Sequence, residues 1–438
     1  MKRIVVVGAG FAGIECVKEL ADVNDAEVVL IDKRNHHLFQ PLLYQVATGT
    51  LGAPDISRSL RGLLGDQKNL QIVYDKVEKV DLKGNKLTCA SGDEFSYDYL
   101  VMAPGARTSF FGQDHWKEHT FQLKSLEDAA SVRRNVLRNL ELAERTTDLE
   151  ERKRLMTIAI VGGGPTGIEL AGGFADLILE IMKRNFTNIK VSDMKIALIE
   201  AASRLLPPFS ESHSAYTKKI LEAAGVDVMV NTMVSDIEPN KLTFRSGDSL
   251  EAGTIIWAAG VQANDVMKNM GLETPPNGKV AVGTDMSIEE HSEVFVAGDA
   301  SFYKEAPGGR GIPAVGAAAA QQGTFIGKLI TKLVRDPKAT RPVFKYLDKG
   351  SMAIIRKNKA VVDASLTPLG GKGSIPFTGF FGWFTWLFVH VLLLSGCRIK
   401  LSVLLQWLFA FGGNRPGAMA FSADSDLVEA CTKAHAID

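Results

Sequence analysis

The chain is 438 residues long, 46% hydrophobic and 23% charged, with 50 basic and 50 acidic side chains. That length supports two or three domains with buried cores, and a formal net charge of zero gives no reason to expect nucleic acid as a partner. Four cysteines, Cys16, Cys89, Cys397 and Cys431, stand far apart without a CxxC pair, which argues against a zinc site or a disulfide framework and suits a reducing cytosolic compartment.

The start, MKRIVVVGAGFAGIEC, has the outline of a signal peptide. Glu15, Lys18 and Glu19 follow at once and the apolar run is only a strand long, so a retained, cytoplasmic N-terminus is expected. The β-branched run stops at Gly8, Gly10 and Gly13, a helix-compatible stretch follows, and a second apolar run, EVVLID, ends at Asp32, 19 positions past the last glycine. Each residue has a task in holding a dinucleotide. Gly8 allows a tight turn, Gly10 lets backbone approach a pyrophosphate, and Gly13 lets helix and strand close up, with Phe11 and Ala12 completing the turn. The helix start favours phosphate charge, and Asp32, followed by Lys33, can accept a hydrogen bond from a ribose hydroxyl.

Next comes NHHLFQPLLYQVATGTL, where Leu42, Leu43 and Val46 read as core and Tyr44 and Gln45 as candidate polar contacts for a ligand. No cysteine lies between Cys16 and Cys89, so this region has no thiol pair to relay electrons. His36, His37 and His390 lack metal-ligand spacing and are expected to be surface or satisfied core groups. YLVMAPGA, with Ala103 and Gly105, reads as a short strand and turn. The charged run after it, LEDAASVRRNVLRNLELAERTTDLEERKRL, reads as a solvated amphipathic connector.

The glycine pattern returns at IVGGGPTGIEL, with Gly162, Gly164 and Gly167 around Pro165 and Thr166. Another strand, KIALIEA, ends at Glu200, 33 residues past Gly167. The excess over the usual spacing of about 20 is assigned to a longer helix and loop across LILEIMKRNFTNIKVSDM. Two fingerprints imply two dinucleotides. TIIWAAGV, with Ala259 and Gly260, repeats the strand and turn of YLVMAPGA, and EHSEVFVAGDAS is an apolar strand ending in Gly298 and Asp299. This last segment resembles the distal FAD-binding segment of two-dinucleotide flavoproteins, in which the carboxylate matching Asp299 hydrogen-bonds the ribityl chain. The resemblance assigns FAD to the first fingerprint and NADH to the second. An acid at position 200 favours NAD over NADP, because a 2′-phosphate would face its charge; Arg204 nearby is the opposing feature.

Toward the C-terminus, residues 373 to 397 carry no formal charge over 25 positions, long enough for a membrane span. Yet Phe377, Phe380, Phe381, Trp383, Phe384, Trp386 and Phe388 crowd the first half, and Trp prefers the headgroup boundary to the hydrocarbon centre. LSVLLQWLFAFGG follows Arg398 and Lys400, with Leu401, Leu404, Leu405 and Leu408 on one helical face. Two helices lying in the membrane plane are therefore expected. Five large apolar side chains leaving water, at ~1.5–3 kcal/mol each, contribute on the order of 10 kcal/mol. A single span and a subunit-interface core are the alternatives, and one segment can serve both lipid and a second subunit.

Taken in order, HHLFQPLLYQVATGTL, GGGPTGIELAGGFAD, VFVAGDAS, AAAAQQG and KYLDKGSMAIIRKNKAVVD resemble the type II NADH:quinone oxidoreductases over roughly residues 1–415. These are single-subunit, non-proton-pumping respiratory flavoenzymes. The resemblance implies an α/β fold with two Rossmann-like dinucleotide-binding domains, one for FAD and one for NAD, plus a C-terminal membrane-associating helical module. It implies that NADH reduces FAD and that FAD reduces a membrane quinone. It gives Glu169 a role in nicotinamide or quinone positioning and proton supply, whereas position alone, two residues past Gly167, also fits an ordinary acid in a first helical turn. Gln45 and Gln321 are the other candidate catalytic residues. Where the family often reads Ala-Gln, this chain has Gly316-Ala317, so that Gln side chain is missing; Gln321 and Gln322 remain as flavin-facing candidates.

The expected division is 1–112 and 266–345 for FAD, 113–265 for NADH, 346–415 for the membrane module and 416–438 for a polar tail. The expected partners are quinone and a lipid surface met through residues 374–413, on the cytoplasmic face of the cell membrane, with a peripheral homodimer as the assembly and neither nucleic acid nor metal. Two rival readings differ in their electron partners. A sulfide:quinone oxidoreductase needs active cysteines near the flavin, where Cys16 and Cys89 are poorly placed. A membrane-tethered redox sensor would bind the nucleotides without quinone turnover.

Overall fold

The computed structural model describes residues 1–21, 23–272, 274–304, 311–369, 373–412 and 419–420. Gly413, the end of the expected membrane segment, and the expected tail 416–438 with Cys431 lie outside them, apart from Met419 and Ala420.

Strand Lys2–Val7 forms where β-branched residues run together, and Ile4, Val5 and Val6 are completely buried. It pairs in parallel with Ala26–Asp32 on one side and Tyr99–Met102 on the other. Burial of both faces is what such a strand needs, and explains why the run is apolar without alternation. The full order is Ser287–Ile288, His291–Val296, Tyr99–Met102, Lys2–Val7, Ala26–Asp32, Leu70–Tyr74. Helix Phe11–Glu19 lies against helix Gly316–Arg335 so closely that a Cβ on Gly323 would overlap the Ala12 carbonyl.

A second sheet is inserted in sequence between strands of the first. Its order is Val226–Met229, Lys195–Ile199, Thr157–Val161, Thr254–Trp257, all parallel. The spacing excess before Glu200 is helical: Pro165–Asn185 runs 21 residues, against nine for Phe11–Glu19. The chain passes out of the first sheet and back through two short strands, Ala106–Thr108 and Val261–Ala263, which pair antiparallel with each other. The two crossings are thereby clamped side by side.

The charged run after residue 125 is not simply a solvated connector. It forms helix Leu126–Arg145, started by a Ser125/Asp128 capping box, and then helix Leu149–Leu155. Ala129, Val132, Val136, Leu137, Leu140 and Ala143 bury one face, and Asn139 donates to the Gly253 carbonyl at 2.9 Å. Most of the charges lie on the opposite side, Arg133 being an exception whose pKa is lowered by desolvation, so the segment belongs to the core of the second unit.

The third part is an antiparallel sheet, Gly350–Arg356, Lys359–Ser365, Ser374–Thr378, followed by helices Gly379–Leu393 and Cys397–Phe411. The uncharged stretch is thus divided between an edge strand and a helix. Pro376 is tolerated because an edge position leaves one side unpaired. Each helix has 15 residues, about 22 Å at 1.5 Å per residue, short of a ~30 Å hydrocarbon core. Among the described residues no helix is long and apolar enough to cross a membrane, which removes the single span.

Candidate functional site

The two glycine turns build one geometry twice. Gly8 and Gly162 hold φ of 101° and 116°, and each presses so close to the next strand, at Ala103 and Ala258, that a side chain would collide with backbone. A Cβ on Gly10 or Gly164 would instead meet no protein atom within 4 Å. Neither helix start has a side-chain cap, so its first N–H groups lack intrahelical partners and border that open space. Asp32 accepts from the N–H of Ala9 at 2.6 Å and of Arg34 at 2.7 Å. Glu200 repeats this with Gly163 at 2.6 Å and Ala202 at 2.7 Å. Each carboxylate is oriented by backbone and keeps lone pairs for ribose hydroxyls. Open space, unpaired donors and an oriented acid fit a dinucleotide in both places.

Around the first cradle, Phe11 packs edge-on to His37, whose Nδ1 donates to the Ala9 carbonyl at 2.9 Å. Burial lowers the His37 pKa, against the pull of that hydrogen bond; it is a satisfied core group. Lys33 is exposed. Gly298, at φ 70°, donates its N–H to Gln322 Oε1 at 2.6 Å, and Asp299 follows in the same turn. Lys124 was not singled out from sequence: burial lowers its pKa while Asp299 and Asp128 raise it. Around the second cradle, Pro165 and Thr166 are exposed at the helix start. Gly260 holds φ 78° and receives the Ser109 N–H at 3.3 Å, much as Gly105 receives that of Asn264 at 3.1 Å. Arg204 spends its guanidinium on the carbonyls of Phe209 and Pro207 and on Ser214 Oγ, at 2.7–2.9 Å. The opposing feature noted in the sequence is therefore already committed.

A cavity of about 590 Å³, counting its mouth, lies where all three parts meet. Glu169, Tyr44, Gln45, Thr48, Trp386 and Trp407 are among its walls. Glu169 is the fifth residue of helix Pro165–Asn185, past the first turn in which the sequence placed it, and strand Gly350–Arg356 lies over it. Burial raises its carboxyl pKa well above the ordinary range, although a backbone hydrogen bond from Ile354 pulls the other way. Burial thus favours the protonated form of this carboxyl over the carboxylate. The other acid on the wall, Asp176, is neutralised: it accepts from Arg356 Nε at 3.0 Å and from the Lys357 N–H at 2.9 Å.

Of the three candidate catalytic residues, the cavity brings together Glu169 and Gln45. Gln321 does not line it. Its amide clasps Leu347, donating to the carbonyl at 3.0 Å and accepting from the N–H at 2.9 Å, while the buried neighbour Gln322 holds the Gly298 turn. Leu42, Leu43 and Val46 are core, as the sequence suggested. Cys16 and Cys89 are buried, with thiols raised by desolvation to about 12 and about 11, so neither supplies a thiolate. No metal-binding cluster exists among the described residues.

The helices that roof the cavity turn their other face outward. Phe381 is 77% exposed and Leu408 66%, with Phe380, Phe384, Phe388, Leu392, Leu401, Leu404 and Leu405 beside them in exposure. Trp386, His390 and Trp407 point inward, Trp386 stacking on His390 with ring centroids 4.0 Å apart. A contiguous exposed apolar surface of this size marks an interaction face.

This is a scaffold of two dinucleotide cradles with an acid-bearing cavity beneath an apolar face, the layout of an α/β nucleotide-dependent oxidoreductase. The sequence matches the Pyridine nucleotide-disulphide oxidoreductase family over residues 2–323. It is 34% identical over 435 residues to the type II NADH:quinone oxidoreductase NdhA of Mycobacterium tuberculosis, covering 96% of this chain and 89% of that one. It is 30% identical to the mitochondrial internal alternative NAD(P)H-ubiquinone oxidoreductase A1 of Arabidopsis thaliana, covering 94% and 84%. The chain belongs to the pyridine nucleotide-disulphide oxidoreductase family, in its type II NADH:quinone oxidoreductase branch. The solved structure of NDH2 from Plasmodium falciparum in complex with NADH shares its fold, at a TM-score of 0.85 and 21% identity over 95% of this chain and 99% of that one.

Proposed function

We infer that this protein is an FAD-dependent enzyme that oxidises NADH and reduces a quinone drawn from a membrane. The observation that carries this reading is the Glu169 cavity, enclosed between the second cradle and two helices whose outer face is apolar. The first cradle with the Gly298–Asp299 turn would hold FAD, and the second would hold NADH. FAD, when bound, supplies the two-electron chemistry, accepting from the nicotinamide and donating to the quinone. The chain's own residues do the rest. Asp32 and Glu200 orient riboses, the helix starts bind phosphate oxygens, and the committed Arg204 with the Glu200 charge favours NADH over NADPH. Glu169 holds a proton at its carboxyl for a quinone oxygen, and Trp386 and Trp407 exclude water around it.

The outward aromatic and leucine side chains support peripheral seating on lipid, on the cytoplasmic face. We also propose a homodimer, and the divisions 1–112, 113–265, 266–345 and 346–415 as the working domains. The test is anaerobic stopped-flow absorbance of the purified yellow protein, with NADH added first and then a soluble short-chain quinone. Bleaching by NADH followed by recovery with quinone is expected; bleaching without recovery would mean that the acceptor is not a quinone.

A further inference from the structure

Trp407 lies 362 residues from Gln45 in sequence, and its indole Nε1 donates to Gln45 Oε1 at 2.6 Å. Gln45 in turn donates from Nε2 to the Tyr44 hydroxyl at 2.8 Å. All three side chains line the cavity that holds Glu169, and all are buried, Gln45 at 5% and Trp407 at 8% exposure. An amide can ordinarily rotate to present either its oxygen or its NH₂ to a ligand. Here it has no such choice, because an indole N–H can only donate. Turning the amide over would set NH₂ against N–H and leave a buried donor unpaired, which is unfavourable. The Gln45 oxygen is therefore held toward Trp407 and the NH₂ toward the other side. One of its protons goes to Tyr44, and the second has no protein partner among the described residues.

We propose that Trp407 is a positioning residue for the oxidant: by locking the Gln45 carboxamide it makes Gln45 a hydrogen-bond donor into the cavity, matched to a quinone carbonyl oxygen. A quinone offers only acceptors at its two oxygens, whereas a quinol offers hydroxyl protons as well. A locked donor thus favours the oxidised form on entry and weakens its hold once the oxygen is protonated. This takes over at a different position the polar contact that Ala317 cannot make. The lock is set from the same helix, Cys397–Phe411, whose opposite side carries the exposed Leu404, Leu405 and Leu408. Trp386 packs 5.7 Å from Trp407 by ring centroids and fixes the indole plane. The inference rests on the quinone-reductase reading above.

The test is a double-mutant cycle of Trp407→Phe and Gln45→Met, read with a soluble short-chain quinone and, separately, with ferricyanide, which takes electrons without a hydrogen-bonded seat. Trp407→Phe keeps an aromatic ring against Trp386 and removes the donor together with part of the indole's volume, and the comparison of quinone with ferricyanide separates the two effects. The expected result is a rise of about tenfold in the quinone KM with a smaller change in kcat, and ferricyanide reduction at the wild-type rate. In the Gln45→Met background Trp407→Phe should add nothing, since there is no amide left to lock. Additive effects, or equal losses with quinone and ferricyanide, would show that Trp407 acts through packing and would overturn the proposal. So would an unchanged quinone KM in Trp407→Phe. A wild-type protein that bleaches with NADH and does not reduce quinone at all would instead remove the underlying reading.

Discussion

Aligned on their glycines, the two cradles place Glu15 and Glu169 at one position, each two residues past the last glycine. Glu15 sits on a nine-residue helix, partly exposed, and pairs with Lys18 at 2.7 Å. Glu169 is the fifth residue of a 21-residue helix, has no such cationic partner among the described residues, and has its pKa raised by burial. The difference lies in what covers each helix. Helix Phe11–Glu19 packs on helix Gly316–Arg335 and leaves the Glu15 side near water. Helix Pro165–Asn185 is crossed by strand Gly350–Arg356 so tightly that a Cβ on Gly172 would overlap the Ile355 carbonyl. The repeat therefore duplicates a nucleotide cradle, whereas the raised pKa of the acid in one copy comes from a later part of the chain laid over it.

The contrast breaks most severely at that crossing. Gly172→Ala should push the third sheet off the helix and destabilise the protein by about 3 kcal/mol, the upper end of overpacking, with quinone activity lost; a thermal melt and a turnover assay check both. Next, Glu169→Gln should lower quinone reduction about 100-fold, in the range of a lost general acid, with FAD retained. Wild-type turnover in that variant would remove Glu169 from the mechanism.

Proton linkage sharpens the same comparison. Burial raises the Glu169 pKa, so the folded protein holds this proton more tightly than the unfolded chain does. Its contribution to stability is fully present below the unfolded carboxyl value of ~4.3 and is lost as pH rises through the raised folded value. Melting temperature followed across pH should therefore decline less steeply toward alkaline pH in Glu169→Gln than in the wild type. A smaller effect is expected at the cradle itself: Glu200→Gln removes the charge facing a 2′-phosphate and should lower the NADPH KM by about tenfold. Improvement no better than twofold would mean that the committed Arg204 and the pocket shape, not charge, set the preference. Smallest of all, Glu15→Gln should change stability by no more than about 0.5 kcal/mol and leave the pH profile of turnover unchanged, since a surface ion pair contributes little.

Much of this molecule was determined by its sequence alone, because the relevant signals are local. A β-branched run before glycines at fixed offsets, with an acid ending the next strand, specifies a dinucleotide cradle wherever it occurs, and here it occurs twice. The leucine spacing of 401, 404, 405 and 408 likewise anticipated one apolar face, and all four side chains are exposed, with Phe409 and Phe411 of the same helix. The charged run at 126–155 suggests a solvated connector and yet buries one helical face, since charges along a helix do not reveal what its other side meets. Tertiary structure alone decided that the Glu169 pKa is raised by burial while Glu15 pairs with Lys18, that Arg204 is committed to loop carbonyls, that Gln321 clasps Leu347, and that Trp407 reaches Gln45. Each of these depends on a neighbour brought by folding. Desolvation and hydrogen-bond partnership are set by distance in space, and no pattern of residues along one segment encodes what a distant segment will lay against it.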